Sequence, residues 1–516
     1  AYLLIGVGST YTRLGDVESA HTLLRRGEES AEAIGDARAL SYALGQLGAL
    51  YEQQGRLDEA LVLSRRAFFQ AQQANAPESA YRWHWQTGRI LKAKGSTTDA
   101  ITSYKQAVTT LQSIRFSMAH GYATGDGSFR DAVGPVFFEL VDLLLATAPD
   151  PKETAAYQTR LLEARETVEQ LKTAELRDYF RDQCVEALEA KTERLDQVSP
   201  SAVVIYPVVL ADRLELLLTS STGIRRATVP VGAEALTREV RELRALLEKR
   251  TTRQFLPRSQ RLYDWLVRPF EAELAGRPVD TLVFVPDGPL RTIPMSALHD
   301  GERFVIERWA VATTPGLSLT DPRPLDRTNL QAFLSGLSEP VQGFPPLAHV
   351  RSELASIGEL FVSETLLDSD FRAPRVEHDL GARDFSVVHV ATHGEFTGDA
   401  EQSFLLTYDG RITMDRLGET VGRTRFRERP IELLTLSACE TAQGNDRAAL
   451  GLAGVAVQAG ARSALGTLWS VNDLAAAEVV TDFYRELRKD SVSKAVALQR
   501  AQRKLIADRS YGHPFY

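Results

Sequence analysis

Hydrophobic and polar residues follow two different periods along the chain, and these divide it into a helical first part and an α/β second part. Residues 1–112 repeat one apolar pattern every 40 residues, which predicts helical hairpins packed side by side. Residues 113–197 keep a helical spacing without this repeat, so we interpret them as a helical connector. From residue 198 short β-branched runs alternate with amphipathic helices, as in an α/β fold. The registered small residues of the repeat are Gly8, Gly48 and Gly88, then Gly15, Gly55 and Gly95, then Ala20, Ala60 and Ala100.

The 40-residue unit resembles a tetratricopeptide repeat (TPR) with a longer second helix or linker. The resemblance implies an α-solenoid whose groove binds a peptide or protein. We therefore expect a protein partner on this groove, acting as an activator or an inhibitor. The alternative is that these helices only cap the following domain.

Two short apolar runs of the second part each end at a reactive side chain. The run 385–392 stops at His393, and the run 431–438 stops at Cys439. A hairpin and a short helix between them leave enough chain for a crossover between parallel strands, which predicts that both side chains lie at one edge of a sheet. An imidazole beside a thiol makes it a nucleophile, and the amides of Gly394 and Cys439 could form an oxyanion hole. A cysteine that ends a core strand is also often inert packing.

These two segments carry a family resemblance. Residues His389 to Phe396, read with Leu436 to Ala442, resemble the CHAT family, the caspase-like domains associated with tetratricopeptide repeats. Further matches lie at Val285 to Arg291, Gly336 to Glu339, Leu468 to Asp473 and His513-Pro514. The resemblance implies a multidomain α plus α/β fold: a TPR-like solenoid, then a caspase-like sandwich with a non-catalytic lobe at 198–329 and a catalytic lobe at 330–516.

The family's relatives, caspases and separases, are cysteine endopeptidases, so the resemblance implies that His393 is the base and Cys439 the nucleophile. Ser437 is a weaker candidate nucleophile, because in a regular strand it would sit two residues back from the edge. The function expected is a partner-regulated endopeptidase that cleaves a protein substrate, in bacterial defence or regulated cell death. The alternative is a non-catalytic TPR scaffold with a structural caspase-like domain.

Substrate contacts are expected from a strand predicted at 463–471. Trp469, Ser470 and Val471 at its end should border the cleft, where a peptide could add as a strand. Separases cut after Arg and have acidic residues a few positions beyond the matching Leu-Trp, whereas here only Asp473 remains. We therefore expect an apolar or small residue before the cut, with Trp469 as a pocket wall; a basic residue is the alternative.

Composition limits the other classes of function. A formal net charge of -8 argues against a broad nucleic-acid surface, and no apolar run is long enough to span a membrane. The two cysteines, Cys184 and Cys439, fit a reducing compartment, which favours the cytoplasm. His389 and His393 would lie about 13 Å apart in a regular strand, too far to share one metal ion, so neither a metal nor an organic cofactor is expected.

Overall fold

The computed structural model describes residues 1–122, 129–180, 201–321, 323–327, 330–397, 402–422, 431–437, 461–508 and 510–516. They fall into two compact units, Ala1–Ala174 and Glu175–Tyr516. Among the helices in the described ranges, none combines the length and the apolar composition that a membrane-spanning segment requires.

The first unit is entirely helical where it is described. The second helices of successive hairpins begin at Val17, Leu57 and Thr97, at intervals of 40 residues. Its helices are α1 (Tyr2–Leu14), α2 (Val17–Ala33), α3 (Ala37–Gln53), α4 (Leu57–Gln73), α5 (Pro77–Ala93), α6 (Thr97–Tyr122), α7 (Phe129–Ala146) and α8 (Thr154–Phe180), the last of which runs on into the second unit.

The two glycine registers of the repeat have different physical causes. Gly15, Gly55 and Gly95 turn the chain with φ angles of 80°, 72° and 79°, a backbone conformation that costs glycine nothing. At Gly88 a Cβ atom would lie 2.8 Å from the ring of Tyr104, so the small residue lets the two helices of a hairpin approach. The glycine pattern therefore encodes both the turns and the close packing of the hairpins.

The second unit contains two five-stranded sheets among its described strands. The first has the order β3-β2-β1-β4-β5, with β1 and β4 parallel, β4 and β5 parallel, and the other pairs antiparallel. Its strands are β1 (Ala202–Val209), β2 (Leu214–Ser220), β3 (Gly223–Val229), β4 (Thr281–Phe284) and β5 (Ala310–Thr313). The helices of this half are α9 (Ala233–Leu247), α10 (Leu256–Leu266), α11 (Glu271–Ala275) and α12 (Val305–Arg308).

The second sheet is parallel throughout, with the order β13-β12-β8-β6-β7. Its strands are β6 (Gln331–Gly336), β7 (Val362–Leu367), β8 (Val387–Ala391), β12 (Leu433–Ser437) and β13 (Ala464–Gly466). A small antiparallel sheet joins β9 (Gly394–Glu395), β10 (Phe404–Leu406) and β11 (Arg411–Thr413). The helices are α13 (Val350–Gly358), α14 (Ala373–Ala382), α15 (Met414–Gly422), α16 (Asp473–Leu487) and α17 (Lys494–Ala507).

The parallel sheet has a hydrophobic core on each face. Val388 and Val390 of β8 point into one core, and Val387 and Ala391 point into the other. A strand buried on both faces reads as a continuous apolar run, which is why the sequence of 385–392 predicts a buried strand. The predicted fold class, a helical first part followed by an α/β part, is confirmed.

Candidate active site

The carboxyl edge of the parallel sheet brings its three central strands to a common level. Ala391 at the end of β8 is paired with Ser437 at the end of β12 on one side and with Gly336 at the end of β6 on the other. Gly336 is tightly enclosed, because a Cβ atom there would lie 2.5 Å from the carbonyl oxygen of Ala391. The predicted parallel arrangement of β8 and β12 is confirmed.

His393 lies two residues beyond the end of β8. Its Nε2 atom is 2.8 Å from the carbonyl oxygen of Pro345, and its ring lies 5.1 Å from the ring of Phe344 at an angle of 33°. A carbonyl oxygen can only accept a hydrogen bond, so Nε2 must carry the hydrogen and Nδ1 is left as the proton acceptor. The contact with Pro345 thus fixes both the orientation and the tautomer of the ring.

Gly394 belongs to β9, opposite Leu405 of β10. The amide of Leu406 donates to the carbonyl oxygen of His393 at 2.8 Å, which identifies Gly394 and Leu405 as a non-hydrogen-bonded pair of the antiparallel ladder. The N–H of Gly394 therefore points away from β10. This direction is compatible with the oxyanion-hole role expected for Gly394.

Cys439 lies outside the described residues, as do Cys184 and all but the last residue of the apolar helix that the sequence predicts from Ala448 to Ala461. In sequence Cys439 follows Ser437 by two positions, just as His393 follows Ala391. Ser437, the weaker candidate nucleophile, is the last residue of β12 and is 2% exposed.

The segment expected to contact substrate leaves the sheet earlier than predicted. The strand predicted at 463–471 is wrong in its extent, because β13 ends at Gly466. The reason is that Trp469 packs into the core of the first sheet, which draws the chain away from the ladder. Ser470 is exposed and Val471 is partly buried.

Trp469 is covered by the C-terminal segment. Its indole N–H donates to the carbonyl oxygen of Phe515 at 2.9 Å, and the two rings stack with centroids 6.4 Å apart. From the first sheet's half, Arg244 donates to the carbonyl oxygen of Leu468 at 3.0 Å. A cavity of about 230 Å³ adjoins this segment and the end of β12, with Ser437, Gly466, Trp469 and Phe515 in its lining.

Asp473, the remaining acidic residue beyond Trp469, begins α16. Its Oδ2 atom accepts a hydrogen bond of 2.9 Å from the backbone N–H of His349. Asn472 caps the same helix through its side-chain oxygen, which accepts from the N–H of Ala475 at 3.1 Å. At least one oxygen of Asp473 is therefore used inside the protein.

His389, the other histidine of the motif, is fully buried on β8. Its Nε2 atom lies 3.1 Å from Glu353 of α13, and the hydroxyl of Tyr484 on α16 lies 3.5 Å from its Nδ1. The same hydroxyl donates to Thr435 of β12 at 2.8 Å. The interpretation of His389 as a buried, hydrogen-bonded neighbour is confirmed. Within the described ranges, no three His, Cys, Asp or Glu side chains are grouped so that they could hold a metal ion.

Sequence reasoning missed Pro345 and Glu353. Pro345 acts through a backbone oxygen, which leaves no side-chain signature in the sequence. Glu353 lies on an amphipathic helix with no motif around it, and only the distant partner His389 explains a buried carboxylate there.

Comparison with known proteins finds a matching family model and several solved structures of low sequence identity. A family model described as the CHAT domain matches residues 256–516, just over half of the chain. Two structures of the Saccharomyces cerevisiae separase-securin complex each match 97% of this chain, at 9% and 10% identity and TM-scores of 0.45 and 0.40. BtubC from P. vanneervenii matches 37% of this chain and 81% of its own, at 17% identity and a TM-score of 0.21. The chain spans about half of the separase-securin chains it matches, 51% and 52%. No protein of curated function matches the sequence significantly.

Proposed function

The chain belongs to the CHAT-domain family of caspase-like peptidases, and on that premise we propose that it is a cysteine endopeptidase with His393 as its base and Cys439 as its nucleophile. The observation that carries the proposal is the hydrogen bond that orients the imidazole ring of His393 just beyond the end of β8. Its Nε2–H is held by Pro345 at 2.8 Å, so Nδ1 is the atom that accepts a proton. The pairing of Ala391 with Ser437 supports it further, because each candidate residue follows one of these two by two positions.

The chemistry proceeds through an acyl-enzyme. His393 Nδ1 takes the proton of the Cys439 thiol, and the thiolate attacks the carbonyl carbon of the scissile peptide. The amides of Gly394 and Cys439 hold the developing oxyanion. The amine leaves with the proton from His393, and water, deprotonated by the same imidazole, hydrolyses the thioester. During these steps the Pro345 carbonyl stabilises the imidazolium, because it accepts a hydrogen bond that strengthens when the ring is charged.

The substrate is a protein whose chain enters the cleft in an extended form. Trp469, Ser470 and Val471 border that path, and Trp469 forms an apolar wall for the side chain before the cut. The carboxylate of Asp473 already accepts a hydrogen bond from the His349 amide, which weakens its attraction for a basic side chain of a substrate. An apolar or small residue before the cut is therefore favoured over a basic one. A peptide library cleaved mainly after Arg or Lys would contradict this preference.

Partner binding controls the enzyme in this proposal. The stacked hairpins of α1 to α6 offer a groove to a peptide or protein ligand, which acts as activator or inhibitor. The biological role proposed from the family resemblance is bacterial defence or regulated cell death. Copurification from the native host identifies the ligand, and a proteolysis screen with and without it identifies the substrate.

Thiol reactivity tests the proposal most directly. Mild alkylation followed by mass mapping should label Cys439 in preference to Cys184, and His393→Ala should remove that preference. Activation by the neighbouring imidazole is the physical reason, since a thiol without one is only slightly ionised at neutral pH. Equal labelling of both cysteines, with the copurified partner present, would contradict the proposal.

One observation favours a second candidate, a scaffold with a structural caspase-like domain. Trp469 is 9% exposed, and its indole N–H is engaged by Phe515, so little of the expected pocket wall is open to a substrate. A scaffold requires the hairpins and does not require a reactive thiol. The alkylation experiment separates the two candidates, because only the peptidase gives the selective, His393-dependent labelling.

A further inference from the structure

A twelve-residue segment, Ser338–His349, connects β6 to α13 and supplies the carbonyl oxygen that contacts His393. We call it the strap. Its Pro340–Pro346 part reads from sequence as a mobile surface loop, because three of its seven residues are proline and one is glycine. The structure instead holds it at its beginning, its middle and its end.

The beginning of the strap is held by Asp368, which follows β7. Asp368 accepts hydrogen bonds from the backbone N–H groups of Ser338 at 2.6 Å and Glu339 at 3.1 Å, and from the Ser338 hydroxyl at 2.8 Å. Arg351 donates to the same carboxylate at 2.7 Å. Asp368 is buried and has a φ of 53°, a strained conformation for a non-glycine residue that persists only where the surroundings enforce it. These hydrogen bonds fix the beginning of the strap at Asp368.

The middle of the strap is a tight turn. The N–H of Phe344 donates to the carbonyl oxygen of Val341 at 2.9 Å, and the two residues between them, Gln342 and Gly343, have φ angles of 51° and 87°. Two consecutive positive φ angles are the requirement of a type I′ turn. The side chain of Gln342 donates to the carbonyl oxygens of Thr407 at 3.0 Å and Gly410 at 3.3 Å, which ties the turn to the β10–β11 hairpin.

The turn delivers two contacts to His393. The ring of Phe344 lies against the imidazole, and the carbonyl of the next residue, Pro345, accepts from Nε2. Val341 is buried in a core of the parallel sheet and Phe344 packs against the same core, so the turn cannot slide without unpacking both. The position of the Pro345 oxygen is thus set by the strap as a whole.

The end of the strap is held by Asp473, the first residue of α16. Its Oδ2 accepts from the N–H of His349 at 2.9 Å. An ionised carboxylate makes a stronger hydrogen bond to a backbone amide than a neutral group does. The two anchors are distant in sequence, Asp368 directly after β7 and Asp473 at the start of α16, and they hold opposite ends of one short segment.

We infer that Asp368 and Asp473 are positioning residues for the base His393, acting through the strap and the Pro345 carbonyl. The inference rests on the proposed function, because it assigns a purpose to the geometry of that same site. It also gives Asp473 a role other than contact with a basic substrate side chain. The two roles differ in what each requires: positioning needs a hydrogen-bond acceptor, whereas recognition of Arg or Lys needs a negative charge.

Substitutions at Asp473 separate these roles. Asp473→Ala removes the acceptor, and Asp473→Asn keeps an acceptor oxygen while removing the charge. We expect Asp473→Ala to lower kcat by about 10²-fold with KM unchanged, because a misplaced catalytic group costs about that much. Asp473→Asn should restore most of the rate. Glu478→Ala on the same helix is the matched control for loss of an acidic residue and should leave both constants unchanged.

A spectroscopic measurement tests the strap without relying on peptidase activity. In protein with ¹⁵N-labelled histidine, the Nε2–H resonance of His393 is assigned by its loss in His393→Ala. We expect this resonance to be protected from exchange in the wild type, to exchange rapidly or disappear in Asp473→Ala, and to persist in Asp473→Asn. Asp368→Asn, which keeps the side-chain shape and suits a positive φ, should weaken the protection to an intermediate degree.

The outcomes distinguish the inference from the proposed function. Loss of the protected resonance in Asp473→Ala, from a protein without any peptidase activity, would support the positioning and remove only the proposed enzyme. A protected resonance and an unchanged kcat in Asp473→Ala would overturn the inference and leave the enzyme. A rise in KM for basic substrates in Asp473→Asn, with kcat unchanged, would also overturn it, in favour of charge recognition.

Discussion

Ala391 and Ser437 face each other in the last rung that β8 and β12 share. Because the strands are parallel, the chain leaves both at one edge of the sheet, and each candidate catalytic residue follows after two more positions. His393→Ala should therefore lower peptidase activity by about 10²- to 10⁴-fold, the usual contribution of a general base. Cleavage of the partner-dependent substrate, followed by gel or mass spectrometry, measures the loss.

The control for this prediction is His378→Ala, which removes an exposed histidine of α14. It should leave cleavage unchanged. Cys439→Ala should abolish cleavage and Ser437→Ala should not. If Cys439→Ala retains full activity while Ser437→Ala is inactive, the nucleophile is the serine.

Gly336 should tolerate no side chain. A Cβ atom there would lie 2.5 Å from the Ala391 carbonyl oxygen and 2.7 Å from a Val350 methyl, and neither neighbour is the flexible end of a long chain. Gly336→Ala should destabilise the second unit by about 1–3 kcal/mol, the typical cost of overpacking. Thermal unfolding and hydrogen exchange of β6 and β8 measure it.

Gly381→Ala is the matched substitution for Gly336→Ala. Gly381 lies near the end of α14, with nothing within 4 Å of the added atom. It should stabilise the protein by up to about 1 kcal/mol, because alanine restricts the unfolded chain. Equal effects of the two substitutions would show that enclosure at the sheet edge does not matter.

Gly45 should be equally restricted in the first unit. A Cβ atom there would lie 2.1 Å from the indole of Trp83, whose N–H donates to Ser41 at 2.8 Å and is therefore not free to move aside. Gly45→Ala should speed hydrogen exchange in α3 and α5. Gly6→Ala on α1, where nothing lies within 4 Å, should leave exchange unchanged or slow it.

Lys494 should make stability depend on pH in the alkaline range. Burial lowers the pKa of its ammonium to about 8, against an ordinary value of 10.5, and Glu432 only partly offsets this effect. Between these values the unfolded chain holds a proton that the folded protein has released, so the stability contributed by Lys494 rises with pH. Below about pH 8 both states are protonated, and the cost of burying the charge is fully present.

Lys494→Met tests this dependence. The unfolding free energy of the wild type, relative to that of the variant, should rise by at most about 1.4 kcal/mol per pH unit between pH 8 and 10.5. Urea unfolding at several pH values measures it. Lys504→Met, which removes an exposed lysine of α17, reports the effect of losing a positive charge on this helix. A constant difference between wild type and Lys494→Met across the range would refute the prediction.

Sequence reasoning recovered the parts of this fold that repeat or that bury a whole strand. The glycine registers gave the hairpins, and the β-branched runs before His393 and Cys439 gave two neighbouring parallel strands. It placed the end of β13 too late, at Val471, because the strand ends where Trp469 turns to pack against the first sheet. That packing involves residues distant in sequence, so the local pattern does not predict it. It also failed at Pro345, since proline-rich composition suggests mobility while the holding groups, Asp368 and Asp473, are distant in sequence.

Tyr484 links the two strands that lead to the candidate catalytic residues. Its hydroxyl bonds Thr435 on β12 and lies 3.5 Å from His389 on β8, while the N-terminal residue of the same helix, Asp473, holds the strap. The helix α16 thus contacts β8, β12 and the strap that orients the imidazole of His393. A displacement of α16 would therefore act on β8, β12 and the strap together.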